Sequence, residues 1–270
     1  MSGYPTVLDT ATAEQVSHDP YAHLVTSDAL PSGTYKSLCA SFPSLEGINP
    51  KRAGASNKRL NLLSSWGPAE LVNAPAPPAW RAFMDAHTDP SFSQTVFDLF
   101  PDVTDGGERG RRLISVDRFG PGLARRLDLP EQVPESEIIV RITLAANTPV
   151  LEATSVRGAH VDSPRKAFVG LYYLRHPDDD SVGGDLAIHR VKPGHEVEGW
   201  VQAADPDDVE MVDEIPYAAN TLVMMLNTHD ALHGVSVRQP TKHVRRFVVI
   251  SGWFPGVDQA DTSANSLARK

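Results

Sequence analysis

Three residues can jointly offer a metal ion nitrogen and oxygen donors. Two stand in His160-Val161-Asp162; the third is His233, 73 residues further on in Leu232-His233-Gly234-Val235. On a strand, residues i and i+2 point to one face, so His160 and Asp162 would present an imidazole and a carboxylate to a single ion. His233 would arrive from a different strand and close a triangle. Two histidines and one carboxylate on one face of an octahedron leave three positions open. One carboxylate offsets only half the charge of a divalent cation, so the site would welcome an anionic co-substrate. The tripeptide is weak by itself in a chain with ten histidines. A histidine and an aspartate hydrogen-bonded to backbone at a strand end would read the same way.

The segments around the triad add an ordered set. After His160-Val161-Asp162 comes the apolar run Phe168-Val169-Gly170-Leu171-Tyr172-Tyr173-Leu174, then Gly183-Gly184-Asp185-Leu186. Thr221-Leu222-Val223-Met224-Met225-Leu226-Asn227 leads to His233-Gly234-Val235-Ser236-Val237. Arg245-Arg246-Phe247 opens the last run, which closes on Gly252-Trp253-Phe254. In content and order this set resembles the prolyl-4-hydroxylase-like branch of the Fe(II)/2-oxoglutarate-dependent oxygenases, over roughly 138–254 and more weakly over 20–43.

The resemblance implies Fe(II) on His160, Asp162 and His233, with 2-oxoglutarate and O2 as co-substrates and ascorbate as a candidate reductant. The far carboxylate of 2-oxoglutarate needs a cation, and a guanidinium is a two-pronged, permanently charged partner for it. Arg245 and Arg246 lie 12 and 13 residues after His233, so spacing does not choose between them. They point to opposite faces of a strand. Arg246 is favoured because an aromatic, Phe247, follows it directly as in the family, which leaves Arg245 for a surface salt bridge. The interval from Arg246 to Trp253 is one residue longer than the family's, which a bulge would absorb. Arg141 and Tyr173 are further candidates for lining the barrel near the co-substrate, or are plain structure. Asn227 either steers a ligand or caps a turn. His229 yields to His233, which carries the His-Gly-Val context, and His176, His189 and His195 read as surface residues.

The elements that must position these groups fall into two kinds. Before residue 134 the text is helical: a short strand over Ala22–Val25, then a helix after Pro31 capped by Ser32 or Thr34, with Leu38, Cys39 and Phe42 inward. Pro77-Pro78 opens a second helix with Trp80, Phe83 and Met84 on one face, and Ser91–Phe100 makes a third. Residues 47–60 read as a basic loop (Lys51, Arg52, Lys58, Arg59), and 106–112 and 120–126 as turn-rich basic segments. After Pro134 come short β-branched and aromatic runs: Ile138–Thr143, Phe168–Leu174, Asp185–His189, Thr221–Leu226 and Phe247–Phe254. This order suggests a mainly β fold with flanking helices, and the resemblance implies a double-stranded β-helix (jelly roll, cupin-like) core with the N-terminal helices packed on one sheet. The chain 1–270 is read as one domain: a helix-rich part with lid loops over 1–134, the core over 135–256 and a polar tail over 257–270.

Composition narrows the function. The 270 residues are 41% hydrophobic and 22% charged, and the net charge of −9 argues against nucleic acid as a partner. No run approaches the roughly 18 apolar residues of a membrane span, and the N-terminus lacks a signal-peptide pattern. Cys39, the one cysteine, can form no internal disulfide or cysteine-rich zinc site. These point to a cytoplasmic protein. The resemblance implies hydroxylation, with 2-oxoglutarate converted to succinate and CO2, and the expected substrate is a small molecule such as an amino acid, peptide or specialised metabolite. Retention of Asp162 argues against halogenation, and desaturation, epoxidation and cyclisation stay open. So do a protein-residue hydroxylase of the same family, a cupin-like isomerase or 2-oxoglutarate-independent dioxygenase, and a binding protein on the same fold. The substrate and the oligomeric state are not readable from the chain.

Overall fold

The computed structural model describes residues 3–45, 54–65, 76–101, 138–163, 165–197 and 201–253. Three helices come from the N-terminal part: α1 (Ser32–Ala40), α2 (Pro78–Thr88) and α3 (Pro90–Leu99). Helix α2 starts on Pro78, where a missing N–H leaves nothing unsatisfied, and buries Trp80, Phe83 and Met84 completely. Asp89 caps α3, its carboxylate accepting from the Ser91 N–H at 2.9 Å, and the stripe Phe92, Val96, Leu99 and Phe100 is buried as its spacing predicts. Helix α1 differs from expectation at its start. Both Ser32 and Thr34 lie inside it, and Pro31 stands at the cap without a side-chain bond. None of the described helices is long and apolar enough to cross a membrane.

The described strands are β1 (Val16–Ser17), β2 (His23–Thr26), β3 (Arg59–Ser65), β4 (Ile139–Asn147), β5 (Lys166–Tyr173), β6 (Leu186–Val191), β7 (Val209–Ile215), β8 (Thr221–Leu226), β9 (His233–Val235) and β10 (Arg245–Trp253). They form a seven-stranded sheet, β1-β2-β8-β5-β10-β4-β3, and a three-stranded sheet, β7-β6-β9, with every pairing antiparallel. Bridges Val150↔Thr241, Thr154↔Arg238 and His160↔His233 lay the segment after β4 alongside the chain that runs from β9. Two facing antiparallel sheets, with helices on the outside of the larger, make the expected jelly-roll core.

The large sheet is buried on both faces, so its central strands are apolar throughout rather than alternating. Strand β8 sends Leu222, Met224 and Leu226 toward Trp80, Phe83 and Met84 of α2, and Val223 and Met225 between the sheets against Leu186, Ile188 and Ile215. Strand β10 divides in the same way, Val248 and Ile250 toward the helices and Phe247 and Val249 toward the small sheet. Its pairing with β5 shifts register at Gly252–Trp253, the bulge that the sequence spacing calls for.

Two strands lie where the sequence reads as loop. Strand β3 begins at Arg59, inside the basic segment, and pairs with β4 from Arg59↔Asn147 onward. Strand β7 lies in an acidic stretch that holds Asp205, Asp207, Asp208 and Glu210, and its inward residues Val209 and Ile215 are separated by mostly exposed, charged positions. The expectations for Lys51, Arg52, residues 106–112 and 120–126, Phe254 and the tail lie outside the described residues.

Candidate metal centre

His160 and Asp162 do not sit on a continuous strand, contrary to the sequence reading. His160 makes a single bridge to His233, and Val161 to Ser163 are irregular. The two histidines exchange both backbone hydrogen bonds at 2.9 Å, which fixes their side chains as neighbours. Gly234 permits this approach, because a Cβ there would stand 3.0 Å from the Gly158 carbonyl carbon. The irregular turn is held from β8's end. Asn227 donates through Nδ2 to the carbonyls of Ser163 (2.8 Å) and Lys166 (3.0 Å), so it acts as a turn cap.

The donor atoms converge. One ligand atom each from His160, Asp162 and His233 lies within 4.8 Å of the others, and all three residues are buried. Asp162 Oδ1 is 4.0 Å from His160 Nε2, and Oδ2 is 3.6 Å from His233 Nε2. Each imidazole places Nδ1 on a backbone carbonyl, His160 on Gly158 at 3.0 Å and His233 on Ala231 at 2.9 Å. With Nδ1–H donating there, each Nε2 keeps its lone pair for the shared space, as metal-ligating histidines require.

Electrostatics agree with this arrangement. Burial pushes the His160 and His233 pKa values down, and for His160 the neighbouring His233 and Arg157 add to the effect. Both rings are therefore neutral donors at neutral pH. Burial alone would raise the Asp162 carboxyl, but Lys166, His233, His160 and Arg157 outweigh it and hold the group below the ordinary carboxylate range. Lys166 Nζ lies 3.2 Å from Asp162 Oδ1 and 5.5 Å from the centre of the Trp253 ring. Two neutral imidazoles and an ionised carboxylate at the wall of a cavity fit a divalent first-row metal ion.

The triad opens onto a cavity of about 190 Å³ that is also lined by Arg59, Arg157, Lys166, Asn147 and Arg245. Here the structure corrects the strand facing. Arg245 points into the cavity with Phe247 and Val249, whereas Arg246 shares the face of Val248 and Ile250 and lies over the Phe42 ring at 5.4 Å. Strand β10 is apolar on both faces, so its pattern carries no sign of which parity faces the site. Nor does Arg245 make a surface salt bridge. It is 2% exposed, enclosed by the rings of Tyr173, Tyr217 and Phe247 at 5.0, 5.0 and 4.8 Å.

Its hydrogen bonding is incomplete. Nη1 reaches Asn147 Oδ1 at 3.4 Å, while Nε and Nη2 are buried without a partner. Asn147 Nδ2 is likewise buried and unpaired, and the buried Tyr173 hydroxyl has only the Arg245 guanidinium beside it, without hydrogen-bond geometry. Buried donors without acceptors cost free energy, so this cluster suits an anion with several oxygens. Arg141 stands apart. It shares the inward face of β4 but pairs with Ser251, three inward positions beyond Asn147, and does not line the cavity. Of the four candidate co-substrate contacts, Arg245 and Tyr173 come together, and Arg246 and Arg141 do not join them.

Lys166, Arg157 and Asn147 are site residues that the sequence reading missed. Lys166 follows Asp162 by four positions, a usable signal only once the intervening turn is known. His229 is exposed and outside the donor cluster, His195 pairs with Asp208 at the surface, and His189 is half-buried rather than exposed.

No protein-family model matches the chain, and no curated protein matches it in sequence. Its structure is similar to that of a Pseudomonas putida prolyl-4-hydroxylase at 13% identity, covering 93% of this chain and 94% of that one with a TM-score of 0.41. A bsmA homolog from Methylobium petroleophilum aligns at 12% identity over 94% and 96% of the two chains, TM-score 0.47. A Trichoplax adhaerens prolyl hydroxylase, solved with a hypoxia inducible factor peptide fragment, aligns at 13% identity over 97% and 93%, TM-score 0.42.

Proposed function

We propose that the chain is a non-haem Fe(II)- and 2-oxoglutarate-dependent dioxygenase that hydroxylates a small molecule while 2-oxoglutarate is converted to succinate and CO2. One observation carries this reading. Two buried neutral imidazoles, His160 and His233, and the ionised carboxylate of Asp162 share a single cavity with a buried guanidinium, Arg245, that has two unpaired nitrogens. Fe(II) bound by the triad would supply the activation of O2 for oxidation of a substrate C–H bond.

The chain's own residues do the rest. His160 and His233 offer Nε2 in a tautomer set by the Gly158 and Ala231 carbonyls. Asp162 supplies the single carboxylate, and Lys166 orients it. Arg245 takes the far carboxylate of 2-oxoglutarate, with Tyr173 and Asn147 adding donors beside it. Val169, Leu171, Leu186, Phe247 and Val249 wall the cavity with apolar surface, which keeps water from the reacting groups and strengthens each charge interaction within. A cupin-like enzyme without 2-oxoglutarate would need the unpaired nitrogens of Arg245 for an anionic group of its own substrate.

The test is succinate formation from 2-oxoglutarate by the Fe(II)-loaded protein, in a screen of amino acids and peptides for substrates that stimulate it. Asp162→Ala is expected to abolish turnover. Undiminished turnover in that variant would contradict the assignment of the triad.

A further inference from the structure

The chain has a net charge of −9, yet its cavity is lined by four cationic side chains, Arg59, Arg157, Lys166 and Arg245, and one acidic one, Asp162. Lys166 is matched by Asp162 at 3.2 Å. On the reading above, the co-substrate brings two negative charges, its far carboxylate facing Arg245 and its near one the metal, and with Asp162 these do not exceed the charges of the metal, Lys166 and Arg245. Arg59 and Arg157 are then left over. Among the described residues neither has an ion pair; Arg59 lies over the Phe247 ring at 5.5 Å, and Asp162, already paired with Lys166, is the acidic group whose charge favours both.

Both side chains are solvent-exposed, at the rim of the cavity, but they are placed there as a pair. Arg59 sits on edge strand β3 directly across from Asn147, whose other neighbour across β4 is Arg245, so one row of the large sheet carries both arginines into the cavity. Arg157 comes from the opposite side. Its carbonyl accepts from the Val235 N–H at 2.9 Å, which anchors it beside β9 of the small sheet. The two guanidiniums thus flank the cavity from the two sheets. Arg157 and Arg245 both lie close enough to Arg59 for their charges to act against its own. Uncompensated like charges around one concavity attract and orient an anion, and guanidiniums bind carboxylate and phosphate oxygens in pairs.

We infer that Arg59 and Arg157 form an anion clamp for the primary substrate, which carries a carboxylate or a phosphate group. The inference rests on the dioxygenase reading for the part that Arg245 plays, and deepens it by naming the class of molecule oxidised.

The experiment uses matched small probes: phenylacetate anion, phenyl phosphate and neutral phenylacetamide. Each is titrated by calorimetry into the anaerobic complex of protein, Fe(II) and 2-oxoglutarate, whose visible absorption reports that metal and co-substrate are in place. At least one anion is expected to bind about tenfold or more tightly than the amide, as a charge-assisted contact predicts. That advantage should vanish in R59Q/R157Q while the absorption persists. The stronger of the two anions tells carboxylate from phosphate.

Equal affinities for anions and amide, or an advantage unchanged in the double variant, would overturn the clamp. Loss of the absorption in the double variant would also overturn it, by assigning these arginines to the co-substrate. If the wild-type protein gives no absorption, the dioxygenase reading fails separately. The same titration of metal-free protein then decides the clamp by whether an anion preference depends on Arg59 and Arg157.

Discussion

A guanidinium enclosed by three aromatic rings with two nitrogens unpaired is held in readiness for an anion, because burying those donors costs free energy until acceptors arrive. Arg245 is in that state and Arg246, one residue away, is not. Arg245→Ala is therefore expected to raise the 2-oxoglutarate concentration needed for half-saturation by roughly tenfold to a hundredfold, the worth of a charge-assisted pair. Arg246→Ala should change it little, since that side chain lies over Phe42 on the helix-facing side. Titration of each variant with 2-oxoglutarate at saturating metal checks the ranking. That His160, Asp162 and His233 come together was legible from spacing and context, because they stand in segments of distinct composition. The facing of Arg245 was not. A strand buried on both sides offers no polar alternation to fix its parity, and an aromatic neighbour proved a poorer guide than the opposite pairing of Phe247 and Val248.

At the level of elements, helix α2 joins the N-terminal arm to the large sheet through His87. This ring is fully buried, stacks on Phe83 with centroids 3.9 Å apart, donates from Nδ1 to the Phe83 carbonyl at 2.7 Å, and accepts at Nε2 from the Val7 N–H at 3.0 Å. Burial pushes its pKa down from 6.5 to about 4, so the fold prefers the neutral ring. Stability from this preference is present above pH 6.5 and is lost as the pH falls from there toward 4, a change of roughly 3 kcal/mol. Denaturant melts across that range should show the decline. His87→Leu, less stable near neutral pH because the Val7 N–H loses its acceptor, should show a flatter acid limb. The helices were readable because their apolar stripes recur at helical spacing and two open on proline. Strands β3 and β7 were hidden for a physical reason. Both lie at sheet edges, where charged residues protect the open hydrogen-bonding groups, and such residues make a strand look like a loop. The turn carrying Asp162 was misread as strand because two same-face donors can also be presented by an irregular segment pinned at His160 and at Asn227.

For the whole molecule, the two sheets meet through their shared apolar core and through the bridge between the segment after β4 and strand β9, and the triad sits on that seam. Ligands that bind the triad should therefore stabilise the fold as a unit. A metal at a hundred times its dissociation constant adds about 2.7 kcal/mol to the unfolding free energy. 2-Oxoglutarate should add a further increment only when metal is present, because one end of it would be held by the ion. Thermal melts with metal alone, 2-oxoglutarate alone and both would test this order. Equal stabilisation by 2-oxoglutarate with and without metal would place its binding outside the triad. A sheet-rich core buttressed by helices was legible at this scale from the order of helices and short strands, and its jelly-roll form from the resemblance. The positive cavity within an acidic chain was not legible, because Arg157, Lys166 and Arg245 are scattered in sequence and meet only across two sheets.

The central claim is that one cavity binds a divalent iron and chelates 2-oxoglutarate on it. Its most direct test is the visible spectrum of the purified protein without oxygen, on addition of Fe(II) and then 2-oxoglutarate. A weak charge-transfer band that needs both additions, and is missing in His233→Ala, is the predicted result. Binding of Fe(II) with no band when 2-oxoglutarate follows, or a band unchanged in His233→Ala, would contradict it.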